Sequence, residues 1–143
     1  MIKISYPSYD FRIKDEGGKE FIFDDCRKLW VRLTPEEWVR QNMLQYLLQV
    51  KNYPASLIAV EKEIAVGELR KRFDILVYKA AKPWMVIECK ELNVTLNESV
   101  IKQVLNYNIT LQTDFFVITN GTATYGFGLH TGRAEQLQQF PDF

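Results

Sequence analysis

Histidine and cysteine are almost missing from this chain. The one histidine, His130, sits in a glycine-rich stretch near the C-terminus, and Cys26 and Cys89 lie far apart with no Cys-x-x-Cys spacing. A disulfide framework and a zinc cluster are therefore excluded. A Ser-His-Asp or Cys-His catalytic arrangement cannot be assembled either. His130 reads as a loop residue, and Cys89 as a small core residue. No Gly-x-x-x-x-Gly-Lys-Ser/Thr occurs, so an ATP-driven motor is not encoded here. No run of about eighteen apolar residues is present, and the opening MIKISYPSYDFRIKDEGG lacks a signal-peptide core, so no membrane span is expected and the cytoplasm is the expected compartment. Net charge is also missing, because 18 Lys and Arg balance 18 Asp and Glu. A nucleic-acid surface would have to come from local clustering, and Arg70-Lys71-Arg72 is the one tight basic cluster.

What remains is an ordinary globular composition. With 143 residues, 47% of them hydrophobic, the chain reads as a single domain with a real core. There is no internal repeat, low-complexity tract or linker. Residues 10–25 alternate apolar and polar around Gly17-Gly18, which predicts a β-hairpin. "RLTPEEWVRQNMLQYLLQV" predicts a helix over 35–50: Thr34 as N-cap, Pro35 at the first helical position, Glu37 completing a capping box. Asn52-Tyr53-Pro54 stops it. Strands follow around Ile58, Val60 and Ile64, then in "RFDILVYK" and "PWMVIECK" about a turn at Ala80-Ala81-Lys82-Pro83, together an antiparallel meander. "TLNESVIKQVLNYNITL" predicts a second helix, with Thr95 and Glu98 as its capping box. "DFFVIT" predicts a buried strand, parallel to the preceding one through a helical crossover. The segment after Asn120-Gly121 gives no clear pattern. The predicted fold is an α/β sandwich with a mixed central sheet and a helix on each side.

Charged residues on the central strands are the anomaly. Glu88 and Lys90 project from one face together with Val86, whereas Cys89 points the other way with Met85 and Ile87. Antiparallel pairing brings Asp74 of the preceding strand within reach. Two carboxylates and a lysine at a sheet's end suit a hard cation such as Mg²⁺. Left buried and unpaired they would be costly, so they either pair with each other or hold something. An E-x-K triplet alone is weak, and a surface ion pair explains it equally well.

The order of the surrounding pieces adds to this. "RLTPEEWVRQ" (32–41), "YPASLIAVEKEI" (53–64), "RFDILVY" (72–78), "MVIECKE" (85–91), "QVLNYN" (103–108) and "FFVITNG" (115–121) fall in sequence at sensible gaps. In this the chain resembles the PD-(D/E)xK nuclease superfamily, and more closely the N-terminal nuclease domain of the type I restriction enzyme R subunit, whose family includes stand-alone proteins. The resemblance covers roughly residues 27–121, and the chain 1–143 then reads as one nuclease-like domain with an N-terminal hairpin extension.

The resemblance implies a restriction-endonuclease-like three-layer α/β sandwich and a metal-dependent DNA endonuclease using Mg²⁺, with Mn²⁺ as a substitute. It implies that Asp74 and Glu88 bind the metal and that Lys90 positions or activates the attacking water. Gln103 and Tyr107 match a Q-x-x-x-Y motif, and their i, i+4 spacing puts both on one helix face. The first helix lends the superfamily another glutamate. Glu36 is preferred to Glu37, because it falls with Arg40, Met43 and Leu47 near the centre of the apolar face while Glu37 is taken up by capping. Arg70, Lys71 and Arg72 are candidates for phosphate contacts. Phe73 stands where the superfamily's name has proline, a common variation. DNA is the implied partner. Cutting both strands needs two sites, from a homodimer or from separate restriction or repair subunits. The alternative is a non-catalytic DNA-binding or partner-binding module on the same fold.

Overall fold

In the computed structural model, which describes residues 1–130 and 132–143, the first helix begins as its sequence dictates. The Thr34 hydroxyl accepts a hydrogen bond from the Glu37 amide at 3.0 Å, Pro35 takes the first helical position, and α1 runs over Pro35–Gln45. A cap of this kind contributes about 1 kcal/mol. The helix widens into a π-helical turn at Tyr46–Val50, and Asn52, at φ 55°, reverses the chain. The second helix, α2 (Glu98–Asn108), is capped by Asn97, whose side chain accepts from the Val100 amide at 2.9 Å. The capping box expected at Thr95 therefore does not form; that threonine lies outside the helix.

Strands make two sheets. β1 (Ile13–Glu16), β2 (Lys19–Asp24) and β3 (Leu29–Arg32) form a small antiparallel sheet, with β1 and β2 turning on Gly17-Gly18 as predicted. β4 (Ile58–Val66), β5 (Leu69–Lys79), β6 (Lys82–Cys89), β7 (Phe115–Thr119), β8 (Thr124–His130) and β9 (Arg133–Gln136) form the large sheet in that order. β6 and β7 are parallel, joined through α2, and the other neighbours are antiparallel. Ala80 and Ala81 alone make the β5–β6 turn, both at positive φ, and Lys82-Pro83 already belong to β6. The patternless C-terminal segment is thus the β8–β9 pair, and His130 ends β8 with an exposed side chain instead of sitting in a loop.

Each face of the large sheet carries one helix. Val39, Met43 and Leu44 of α1, with Leu47 of the π-helical turn, pack on Ile75, Val77, Met85, Ile87, Cys89 and Val117, all buried. On the other face Val100, Ile101, Val104 and Leu105 of α2 cover Phe73, Leu76, Val86, Phe116 and Ile118. Cys89 is fully buried, as expected of a core residue. This is the mixed-sheet α/β sandwich compatible with a restriction-endonuclease-like fold. Among the described residues no helix is long and apolar enough to cross a membrane.

Candidate functional site

Alternation breaks at one rung of the large sheet. Along β4, Ile58 and Val60 face α1, but Ile64 faces α2; along β5, Phe73 faces α2, but Ile75 faces α1. Both strands change sides at the step where Glu61 stands opposite Asp74, and that pair is missing from an otherwise continuous register. Glu61 has φ 54°, the left-handed region that non-glycine residues rarely enter. No residue is inserted, since Val60 pairs with Ile75 and Lys62 with Phe73; the irregularity is a local change of face centred on Glu61. It turns two carboxylates toward the N-terminal end of α1.

Arg40 of α1 receives them. This arginine is buried, and its Nη2 donates to Asp74 Oδ1 at 3.0 Å and is ion-paired with Glu61 Oε1 at 2.8 Å. Its Nη1 donates to Glu37 Oε1 at 2.7 Å. Burial works against the guanidinium charge, but Glu37, Asp74 and Glu61 outweigh it and raise its pKa further. Sequence reasoning placed Arg40 on the apolar face of the helix without giving it a role. The signal was there, since an arginine at the centre of an apolar face must be paired. Glu37 is likewise more than a cap residue. Its amide is capped, while its carboxylate is buried and bound to Arg40 and Arg27.

Glu36 lies at the rim. Its side chain is about half exposed, 3.4 Å from Arg40 Nη2. Partial burial, and then the Asp74 charge, raise its pKa, with Arg40 and Lys90 opposing.

Asp74 is held from both sides, because its Oδ2 accepts from the Cys89 backbone amide at 2.8 Å. That bond ties the carboxylate of β5 to the end of β6, where its charge bears on Glu88. Burial, then the Asp74 charge, push the Glu88 carboxyl up to about 9, with Lys90 lowering it only in part. Neither Glu88 nor Lys90 takes part in an ion pair among the described residues. The surface-pair explanation of Glu-x-Lys therefore fails on geometry. Asp74, midway along β5, is thus gathered with Glu88 and Lys90 at the end of β6, with Glu36 beside them.

The donor set there is oxygen only, which suits Mg²⁺ or Mn²⁺. Among the described residues no three His, Cys, Asp or Glu side chains converge into a cage. Glu36 thus does not complete a three-carboxylate site with Asp74 and Glu88. A two-carboxylate site is still what Mg²⁺ commonly uses, with waters and substrate phosphate filling the other positions.

A groove of about 420 Å³ opens beside Glu88 and Lys90, walled by Arg72 and by Gln103, Val104 and Tyr107 of α2. Gln103 and Tyr107 line the same groove as Glu88 and Lys90. The basic cluster divides. Arg72 lines the groove, whereas Arg70 is exposed and donates to Glu63 Oε1 at 2.6 Å. Lys71 is buried; its Nζ donates to the Tyr107 carbonyl and to Thr110 Oγ1 at 2.9 Å, and lies 4.2 Å from the Tyr107 ring centre. Its ammonium is committed to the C-terminal end of α2, where a cation is favoured by the helix dipole.

The family of the type I restriction enzyme R protein N terminus matches residues 35–141 of this sequence. The chain belongs to that family. No curated protein and no solved structure matches the chain. The family's span takes in Glu36, Asp74, Glu88, Lys90, Gln103 and Tyr107. It begins with α1 and leaves the small sheet outside; at the other end it reaches beyond the 121 read from motifs and includes β8 and β9.

Proposed function

We propose that the chain is a metal-dependent DNA endonuclease. The observation that carries this reading is Asp74, bonded to the Cys89 amide at 2.8 Å and so held at the end of β6 beside Glu88, with Glu88 and Lys90 lining one groove and neither ion-paired among the described residues. Two carboxylates held close together favour a shared proton or a bound cation. The family name points to restriction enzymes and so to DNA as the substrate.

Asp74 and Glu88 hold Mg²⁺, or Mn²⁺ in its place, and Glu36 contributes from the rim through water. A divalent ion bound there polarises a phosphate and lowers the pKa of its water. Lys90 orients the attacking water or stabilises the negative charge that develops on the phosphate. Gln103, Tyr107 and Arg72 hold the DNA strand in the groove, and Arg70 adds charge at its edge. Lys71 acts indirectly by fixing the end of α2. Phosphate contacts carry no sequence information, so little intrinsic sequence preference and a strong salt dependence are expected. A double-strand break requires a second site, from another copy of the chain or from a partner subunit.

The absence, among the described residues, of a three-carboxylate cage favours a second reading, a DNA-binding or partner-binding module without catalysis. Calorimetry separates the two. Under the first reading Mn²⁺ binds, supercoiled DNA is nicked or cut, EDTA stops the reaction, and Asp74→Asn abolishes both binding and cutting. DNA binding with no heat on Mn²⁺ addition and no cutting would leave the module.

A further inference from the structure

The small sheet lies outside the family's span, yet it is bonded to the acidic centre through buried side chains. Asp24, at the end of β2, is fully buried. Its Oδ1 accepts from the Cys26 and Arg27 amides at 2.7 and 2.8 Å, and its Oδ2 accepts from Arg27 Nε at 2.7 Å. The Arg27 side chain is thereby locked, and its Nη2 donates to both Glu37 oxygens at 3.2 and 3.1 Å. Gln41 closes the arrangement, donating to Asp24 Oδ2 at 2.8 Å and Glu37 Oε2 at 3.1 Å. Glu37 then fixes Nη1 of Arg40, whose Nη2 meets Asp74.

We propose that Arg27 is a positioning residue for Asp74, acting through Glu37 and Arg40. The guanidinium is a rigid fork, so the group that holds Nη1 sets where Nη2 points. Glu37 holds Nη1 of Arg40, and Arg27 determines where Glu37 stands. Each member of a buried polar network is oriented by the others, and a missing member is felt along the chain of bonds. Arg27 therefore orients a carboxylate three side chains away, from a segment that the family does not include. The Cys89 amide, bonded to the other Asp74 oxygen, is a built-in reporter of that orientation.

The proposal rests on Asp74 as a cation ligand, and the test keeps the two claims apart. In the full chain, Arg27→Met is compared with the parent by the ¹⁵N–¹H resonance of Cys89 in metal-free protein and by Mn²⁺ affinity in calorimetry. The expected result is a displaced Cys89 resonance and Mn²⁺ binding weakened roughly 10-fold or more, the usual loss when an outer partner of a ligand is removed. DNA affinity in EDTA stays as in the parent. Arg27→Lys, which keeps the charge without the fork, falls between the two. A folded Arg27→Met with the parent's Cys89 resonance and Mn²⁺ affinity overturns the proposal, because a residue that merely stabilises the fold moves neither. Should Arg27→Met not fold, Arg27→Lys is read by the same two measurements, with the same outcomes deciding. If the parent itself takes up no Mn²⁺, the endonuclease reading fails, and the Cys89 resonance alone still decides the relay.

Discussion

Glu88 and Lys90 stand two residues apart and, among the described residues, do not pair; the charge that bears most on Glu88 is that of Asp74. That choice has a measurable consequence. Burial and the neighbouring carboxylate raise Glu88 from its ordinary 4.5 to about 9, so the folded chain holds a proton there more tightly than the unfolded chain does. The stabilisation this gives is complete below the unfolded value and is lost as the pH rises through the folded one. Thermal unfolding in EDTA should therefore show stability falling over a window from about pH 5 to about pH 9, beyond any change shared with Glu88→Gln. Under the endonuclease reading Mn²⁺ would take the proton's place, so its binding near neutral pH should release a proton, visible as a dependence of binding heat on the buffer's own ionisation heat. Equal pH profiles for the parent and Glu88→Gln would contradict the assignment.

Most of the elements were readable because local signals agreed with tertiary demands. Thr34-Pro35 starts α1, and the apolar runs of β5, β6 and β7 are buried on both faces between two helices. β8 and β9 escaped for a physical reason. In β8 the inward positions are Thr124, Gly126 and Gly128, and a side chain at Gly126 would meet Ile2 of the N-terminal segment at 2.8 Å. Small residues inside and aromatic ones at the half-buried positions invert the usual pattern. All four residues of β9 are exposed, which leaves no periodicity to read. The change of face at Glu61 was equally hidden, since it leaves no mark on the composition of "AVEKEI". One turn goes against its own chemistry. Ala80 and Ala81 sit at φ 53° and 63°, where a two-residue hairpin favours Asn-Gly. Replacing Ala80-Ala81 with Asn-Gly should stabilise the chain by about 1 kcal/mol or more in denaturant unfolding, given the cost of left-handed alanine. An unchanged or lower midpoint would show that the turn is not strained.

For the molecule as a whole, the acidic centre sits where three layers meet. α1 supplies Glu36 and Arg40, the sheet supplies Asp74, Glu88 and Lys90, and α2 walls the groove. The sequence alone exposed the acids and the lysine, because charges are conspicuous on apolar strands. It did not expose Arg40 or Arg27, whose roles depend on which carboxylates the fold brings to them. The even charge balance carries no message about DNA, since the charge that counts is local: Arg72 and Lys90 face the groove, while Lys71 is turned inward. The central claim is that this groove cleaves phosphodiesters with Lys90 assisting the attack. Single-turnover cleavage of end-labelled DNA in Mg²⁺, parent against Lys90→Ala, tests it most directly. The account predicts a loss of about 100-fold or more, the scale of a removed electrostatic or acid–base partner, with Mn²⁺ and DNA binding retained. Cleavage by Lys90→Ala at the parent's rate would contradict it.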